Sequence, residues 1–431
     1  MYSYFESRTG AKFNETVFFG LQAYIKKYLA GVVVTKEKLD EAKAIADAHV
    51  GPGIFNYEGW KYILENNGGM LPIKIKAVPE GTPVSVSNVL MTIENTDPKC
   101  YWLTNYLETL LVQVWYACTV ATQSREAKKV IKRFLEKTGD SAGIDFKLHD
   151  FGYRGVSSDE SAGMGAMAHL VNFMGTDTVA GLVYAREYYG VDMAGFSIPA
   201  SEHSTITSWG KENEVEAYDN MLTQYEKSPL VACVSDSWDI YNACENLWGG
   251  QLKDKVLARN GTLVIRPDSG DPLKTVPKVL KTLGKAFGYT INDKGYLMLP
   301  PQVAVIQGDG INYESMAKIL QAVEDAGWST QNIAFGSGGG LLQQLNRDTQ
   351  RFAFKCSMVV VNGEERGVYK DPATDTTKAS KKGKLMLTKE DGEWVTKNYT
   401  DKEKDYLVPV FENGKLLKEY TWQEVKDNAK I

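Results

Sequence analysis

The chain has 431 residues, 43% of them hydrophobic and 24% charged, with a formal net charge of −5. That length exceeds one ordinary domain, so two structural regions are expected. The acidic balance argues against a nucleic-acid-binding surface, and no apolar run approaches the ~20 residues that span a bilayer. The opening MYSYFESRTG holds no apolar stretch of secretory type. Cys100, Cys118, Cys233, Cys244 and Cys356 are scattered and form no CxxC pair, which reads as reduced thiols in a cytoplasm.

Along the chain, residues 1–140 mix helix and strand. TKEKLDEAKAIADAHV (35–50) and SREAKKVIKRFLEKTG (124–139) have helical composition, while LPIKIKAVPEGTPVSVSNVLMTIEN (71–95) alternates like strands. From 141 to 345 the rhythm changes. Apolar runs end in polar turns at LHDFGYRGVSS (148–158), GTDT (175–178), SEHST (201–205), VSDSWD (234–239), LVIRPDSGDP (263–272), VAVIQGDG (303–310) and IAFGSGGGLLQQ (333–344). Helix-compatible segments generally follow, at spacings close to one βα unit. Parallel strands feeding helices put all such turns on one face, where α/β barrels carry their chemistry. From 346 shorter strands return, such as FAFKCSMVVV (352–361). The predicted class is α/β. An irregular (β/α) barrel at 141–345 is inserted into a second, α+β domain formed by both chain ends, 1–140 and 346–431.

The turns carry the chemistry. In Phe335-Gly336-Ser337-Gly338-Gly339-Gly340-Leu341 glycines let backbone N–H groups approach an anion at a helix start. This is neither a Walker A loop nor a Rossmann fingerprint, and a plain tight βα turn is the alternative. Gln307-Gly308-Asp309-Gly310 adds a carboxylate suited to ribose hydroxyls. Arg266-Pro267-Asp268-Ser269-Gly270-Asp271 combines a phosphate-gripping cation with carboxylates for Mg²⁺ or a ribose diol, unless the turn only satisfies itself. Phe151, Tyr153 and Arg154 could stack a flat heteroaromatic and steer an anion. Of the four histidines His49, His149, His169 and His203, His203 is the candidate nucleophile or general base: it sits at a strand end flanked by polar groups in Ser201-Glu202-His203-Ser204-Thr205, with Asp236 and Asp239 at the end of the next strand to fix its tautomer.

These segments, together with YSYFESR, ETVFFGLQ, KAVPEG, ENTDP, YWLTN and FKCS, resemble the nicotinamide phosphoribosyltransferases, a type II phosphoribosyltransferase family. The resemblance extends over nearly the whole chain. It implies an α/β barrel enzyme that works as a homodimer with its site at the subunit interface. The implied reaction joins nicotinamide to phosphoribosyl pyrophosphate, yielding nicotinamide mononucleotide and pyrophosphate in NAD salvage. Mg²⁺ would assist, and ATP would couple to the reaction by phosphorylating the histidine matched by His203. Phe151 matches the ring that stacks on nicotinamide, and Asp177 the carboxylate facing the carboxamide. Arg154 and Arg266 match arginines of the substrate and phosphate region. Asp268, Gly308 and Asp309 match ribose contacts, Gly338 and Gly339 phosphate contacts, and Asp239 a carboxylate near the histidine.

Two departures accompany the resemblance. Met1-Tyr2-Ser3-Tyr4 aligns well inside the family pattern, upstream of which an Asp-Ser-Tyr-Lys segment supplies a second ring for nicotinamide. A misplaced start, a deliberate truncation and a naturally short variant are the alternatives. Ala353 stands where relatives can carry a phosphate-binding Ser, whereas Arg347 and Lys355 are retained. The run Lys370-Asp371, Lys378, Lys381-Lys382-Gly383-Lys384 reads as a solvated loop by charge. The resemblance makes part of it a subunit-crossing phosphate contact. Alternative readings are a nicotinate-preferring phosphoribosyltransferase, against which Asp177 argues, and a low-activity homologue acting as a dimeric binding protein.

Overall fold

The computed structural model describes residues 1–374 and 379–431; Lys378 of the basic run lies outside them. The described residues part into two compact units. One holds Met1–Thr122, Tyr184–Asp192 and Leu345–Lys430, and the other holds Gln123–Val183, Met193–Gln344 and Ile431. The first boundary therefore lies at 122 and not at 140, and the chain returns to the first unit at 184–192, inside the stretch assigned to the barrel from sequence.

The second unit is built on six parallel strands: β1 (Leu148–Asp150), β2 (Gly175–Thr176), β3 (Leu230–Val234), β4 (Thr262–Arg266), β5 (Val303–Gln307) and β6 (Ile333–Ser337). Their order is β2-β1-β6-β5-β4-β3. The irregular stretch 196–200 joins the two edges, with Phe196 bridging Gly175 and Ala200 bridging Ala232. Backbone bonds secure it on both sides: Thr176 N–H donates to Phe196 O at 3.0 Å, and Ala232 N–H to Pro199 O at 2.9 Å. Six strands and this stretch thus form an irregular barrel.

Strands buried on both faces read as continuous apolar runs, not as alternation. In β4, Leu263 and Ile265 are wholly buried, while Val264 joins Ala232 and Ile306 in a separate cluster touched by Phe151, Ile198, Ala304 and Ala334. Helices follow the strands. Pro272–Phe287 begins on Asp271, whose carboxylate accepts from Leu273 N–H at 3.1 Å, and buries Val276, Val279, Leu280 and Leu283 at helical spacing. Tyr313–Asp325 begins with a reciprocal cap between Asn312 and Ser315 and buries Met316, Ile319, Leu320 and Val323. Because every strand runs the same way, Asp150, Thr176, Val234, Arg266, Gln307 and Ser337 all end at one rim.

The first unit centres on a seven-stranded antiparallel sheet that interleaves both chain ends. Tyr2–Ser7 lies between Phe352–Val361 and Val89–Asn95, with Ile73–Ala77 and Val408–Glu412 further along. Lys36–Val50 is helical here. Glu80 is buried in this unit and accepts from Gly20 N–H, Gln22 N–H and the Tyr189 hydroxyl. That last bond is one reason 184–192 belongs with it. Among the described residues no helix is long and apolar enough to cross a membrane.

Candidate active site

A cavity of about 330 Å³ opens among these strand ends, and Phe151, Arg154, Arg266, Asp268, Gly308, Asp309, Gly338 and Gly339 all line it. Each follows its strand by a few residues at most, except Arg266, which ends β4.

Phe151 leaves β1 with its N–H donating to Ser337 O at 2.9 Å. Its ring rests where β6 has no side chain: a Cβ on Gly336 would stand 1.9 Å from Cε2. The Arg266 guanidinium lies 5.4 Å from the ring centroid, within cation–π range, and the His149 ring lies 5.2 Å away at 53°. Arg266 grips Asp268 through Nε at 3.2 Å and Nη2 at 2.9 Å. Its remaining N–H groups stay available to an anion. The glycine-rich turn is held from behind. Ser337 Oγ donates to Ile311 O at 2.8 Å, and Gln123 Nε2 to Gly340 O at 3.0 Å.

Asp177 follows β2, with its N–H donating to Asp150 O at 3.0 Å. His149 Nε2 lies 2.6 Å from Asp177 Oδ1, and the Ser197 hydroxyl donates to the same oxygen. Burial would raise this carboxyl, but those two hydrogen bonds, the His149 charge and the field of Arg266 together hold it below the usual carboxylate range. Beneath it the fully buried Asp150 accepts from Gly152 N–H at 2.7 Å and Thr176 Oγ1 at 2.8 Å, and burial pushes its carboxyl up.

His203 opens the short helix His203–Thr207 and is 45% exposed. Its Nε2 lies 3.0 Å from Oδ1 of the nearly buried Asp236, whose other oxygen accepts from the Ser269 hydroxyl. Ser269 neighbours Asp268, so this pair is tied to the Arg266 turn. Asp239, matched to a carboxylate near the histidine, caps the following helix through Oδ1, which accepts from Tyr241 N–H at 2.9 Å and Asn242 N–H at 3.1 Å, while the hydrogen bond to His203 comes from Asp236. Arg347 and Lys355 stand in the first unit, Arg347 exposed beside Asp348 at 3.3 Å and Lys355 half-buried in strand Phe352–Val361. His149, Ser197 and Asp150 join the site without being marked as site groups by the sequence motifs. The available signal was that each is polar at or near the end of a predicted strand.

Comparison with known proteins accords with this geometry. The sequence model of the nicotinate phosphoribosyltransferase (NAPRTase) family matches residues 146–415, and that of the nicotinamide phosphoribosyltransferase N-terminal domain matches residues 1–75. A nicotinamide phosphoribosyltransferase of Xanthomonas campestris is 50% identical over 438 residues, covering 99% of this chain and 92% of the relative. One from Acinetobacter baylyi is 33% identical over 446 residues, covering 96% and 88%. The crystal structure of nicotinate-nucleotide pyrophosphorylase from Pyrococcus furiosus matches 99% of this chain and 87% of its own, with a TM-score of 0.58. At 16% identity that likeness concerns the fold alone. The chain belongs to the nicotinate phosphoribosyltransferase (NAPRTase) family and stands within it among the nicotinamide phosphoribosyltransferases.

Proposed function

We propose that this chain is a pentosyltransferase that joins nicotinamide to phosphoribosyl pyrophosphate, giving nicotinamide mononucleotide and pyrophosphate in NAD salvage. The observation that carries the reading is the cavity where an aromatic ring, two guanidinium groups, two carboxylates and a glycine-rich turn meet. Phe151 would stack on the pyridine ring, and Asp177 would accept from the carboxamide NH₂. Asp268 and Asp309 would hold the ribose hydroxyls, and Gly338, Gly339, Arg154 and Arg266 the phosphates.

The transfer is a displacement at the anomeric carbon. The pyridine nitrogen forms the new C–N bond as the C–O bond to pyrophosphate breaks. The nitrogen is already a nucleophile, so the protein's work is alignment and neutralisation of the leaving group. Among the described residues no cluster of three His, Cys, Asp or Glu side chains is placed to hold a metal. A Mg²⁺ ion that keeps waters and leans on one or two carboxylates plus substrate phosphates fits such a donor set. Asp268 and Asp309 would hold it, and it would supply charge neutralisation on the pyrophosphate.

ATP coupling belongs to the same proposal. With Nε2 turned to Asp236, the exposed His203 has Nδ1 to attack the γ-phosphorus of ATP and release ADP. A homodimer would bring Arg347 and Lys355 into service at an anion site in the assembly, and a cytoplasmic location goes with these substrates. The test is product formation from phosphoribosyl pyrophosphate with nicotinamide or nicotinate, Mg²⁺ present, with and without ATP. The expected result is nicotinamide-selective turnover raised by ATP. Preference for nicotinate, or no product with either base, would overturn the reading.

A further inference from the structure

Both donors on Asp177 use one oxygen. His149 Nε2 and the Ser197 hydroxyl converge on Oδ1, and no bond to Oδ2 is present among the described residues. Asp177 is 46% exposed, so Oδ2 is the atom offered outward. The imidazole has little freedom. A Cβ on Gly175 would stand 2.6 Å from its Nδ1, so β2 must carry glycine there for the ring to lie where it does. Phe151 stands 5.2 Å away, beside the cavity. His149 is therefore fixed between a strand backbone and the carboxylate.

A carboxylate accepts but does not donate, so Nε2 carries a proton in either charge state of the ring. The second proton, on Nδ1, changes the charge of the pair without disturbing the hydrogen bond. With neutral His149 the pair presents one negative charge; with imidazolium it presents none.

We propose that His149 is a positioning residue that sets the charge Asp177 presents to the pyridine substituent, so that discrimination against nicotinate weakens when the imidazole takes its second proton. This rests on the reading that Asp177 faces the carboxamide. A carboxamide binds to Oδ2 in either state, whereas the carboxylate of nicotinate is repelled only by the net charge. The other charged or titratable groups around the pair are Asp150 on the same strand, Arg266 from β4, and His169 from the helix Asp159–Leu170. Arg266 keeps its charge throughout, and His169 stays neutral until about pH 3. Asp150 is the group the experiment must separate from His149.

The measurement is the ratio of kcat/KM for nicotinamide to that for nicotinate between pH 5.5 and 8.5. The ratio cancels every step the two bases share. In the native chain it should fall roughly tenfold from the upper to the lower end of that interval. His149→Gln keeps a donor but cannot take the charge, so its ratio should stay flat. Ser197→Ala should keep the slope. The proton NMR titration of the native His149 ring should share its midpoint with the selectivity change, a readout that needs no variant to fold. A flat native profile, a mismatch of midpoints, or a slope surviving in His149→Gln would overturn the proposal. The last would assign the titration to Asp150. Asp177→Asn separates the two layers: an unchanged ratio there would sink the reading of Asp177 itself, whereas a collapsed ratio with a flat native profile would sink only the role of His149.

Discussion

Gly336→Ala places a methyl group where the Phe151 ring stands. The added Cβ would lie 1.9, 2.3 and 2.5 Å from three ring carbons, whereas carbons in contact sit ~3.5–4.0 Å apart. The ring must therefore retreat by roughly 1.5–2 Å to reach ordinary contact. Its surroundings limit the retreat. Gly308 already approaches the same ring edge, and Arg266 and His149 flank it. The open direction is the cavity that Phe151 lines. Overpacking of this kind costs about 1–3 kcal/mol of stability. Loss of the stacked geometry removes a further ~0.5–1.5 kcal/mol from base binding, equivalent to roughly 2–13-fold in KM for nicotinamide. The assay pairs initial rates over a nicotinamide series with a thermal melt. Two controls sharpen it. In a Phe151→Ala background the change at 336 should no longer affect nicotinamide. Gly339→Ala, in the same turn, meets no atom within 4 Å and should leave the Tm unchanged. Native KM and native Tm in Gly336→Ala would refute the placement of the ring.

Three further predictions follow from the same geometry. His169 is wholly buried, with Nε2 donating to Leu148 O at 3.1 Å and Nδ1 accepting from Ser124 Oγ at 2.9 Å. Burial pushes its pKa down to about 3, so on acidification the unfolded chain takes the proton first. The stability it confers is complete above ~6.5 and is lost progressively toward pH 3, about 2 kcal/mol by pH 5. Urea titrations at pH 7 and pH 5 measure that loss, and His169→Gln should flatten it. Arg266→Lys replaces a two-point grip on Asp268 with a single ammonium, so KM for phosphoribosyl pyrophosphate should rise about 10–100-fold in steady-state rates. An unchanged KM would remove Arg266 from the anion site. Asp236→Asn should abolish stimulation by ATP while leaving ATP-independent turnover, read by coupled assays of ADP release and nucleotide formation.

Much of this was legible in the sequence because one rule governs it. Parallel strands with helices between them deliver their C-terminal turns to one rim. Apolar runs such as Val303-Ala304-Val305-Ile306 ending in Gly308-Asp309 marked those turns plainly. Four features were not legible. The SEHST turn marks the end of the stretch 196–200, but Phe-Ser-Ile-Pro-Ala, with its proline and no β-branched run, does not show that it joins the two sheet edges by isolated bridges and not as a full strand. Residues 184–192 continue the helix Val179–Tyr189, and nothing local marks that Tyr189 will meet Glu80. Which of Asp236 and Asp239 hydrogen-bonds His203 depends on backbone direction beyond β3, which three residues of spacing do not reveal. Asp177 was placed by resemblance, but its partners lie 28 and 20 residues away in sequence and only the barrel joins them.

The most direct measurement is a crystal structure of the chain with nicotinamide mononucleotide. The account predicts the pyridine ring against Phe151, its carboxamide nitrogen within hydrogen-bond reach of Asp177 Oδ2, the ribose at Asp268 and Asp309, and the phosphate at the Gly338-Gly339 turn. A nucleotide bound away from this rim, or seated there with its carboxamide turned from Asp177, would contradict it.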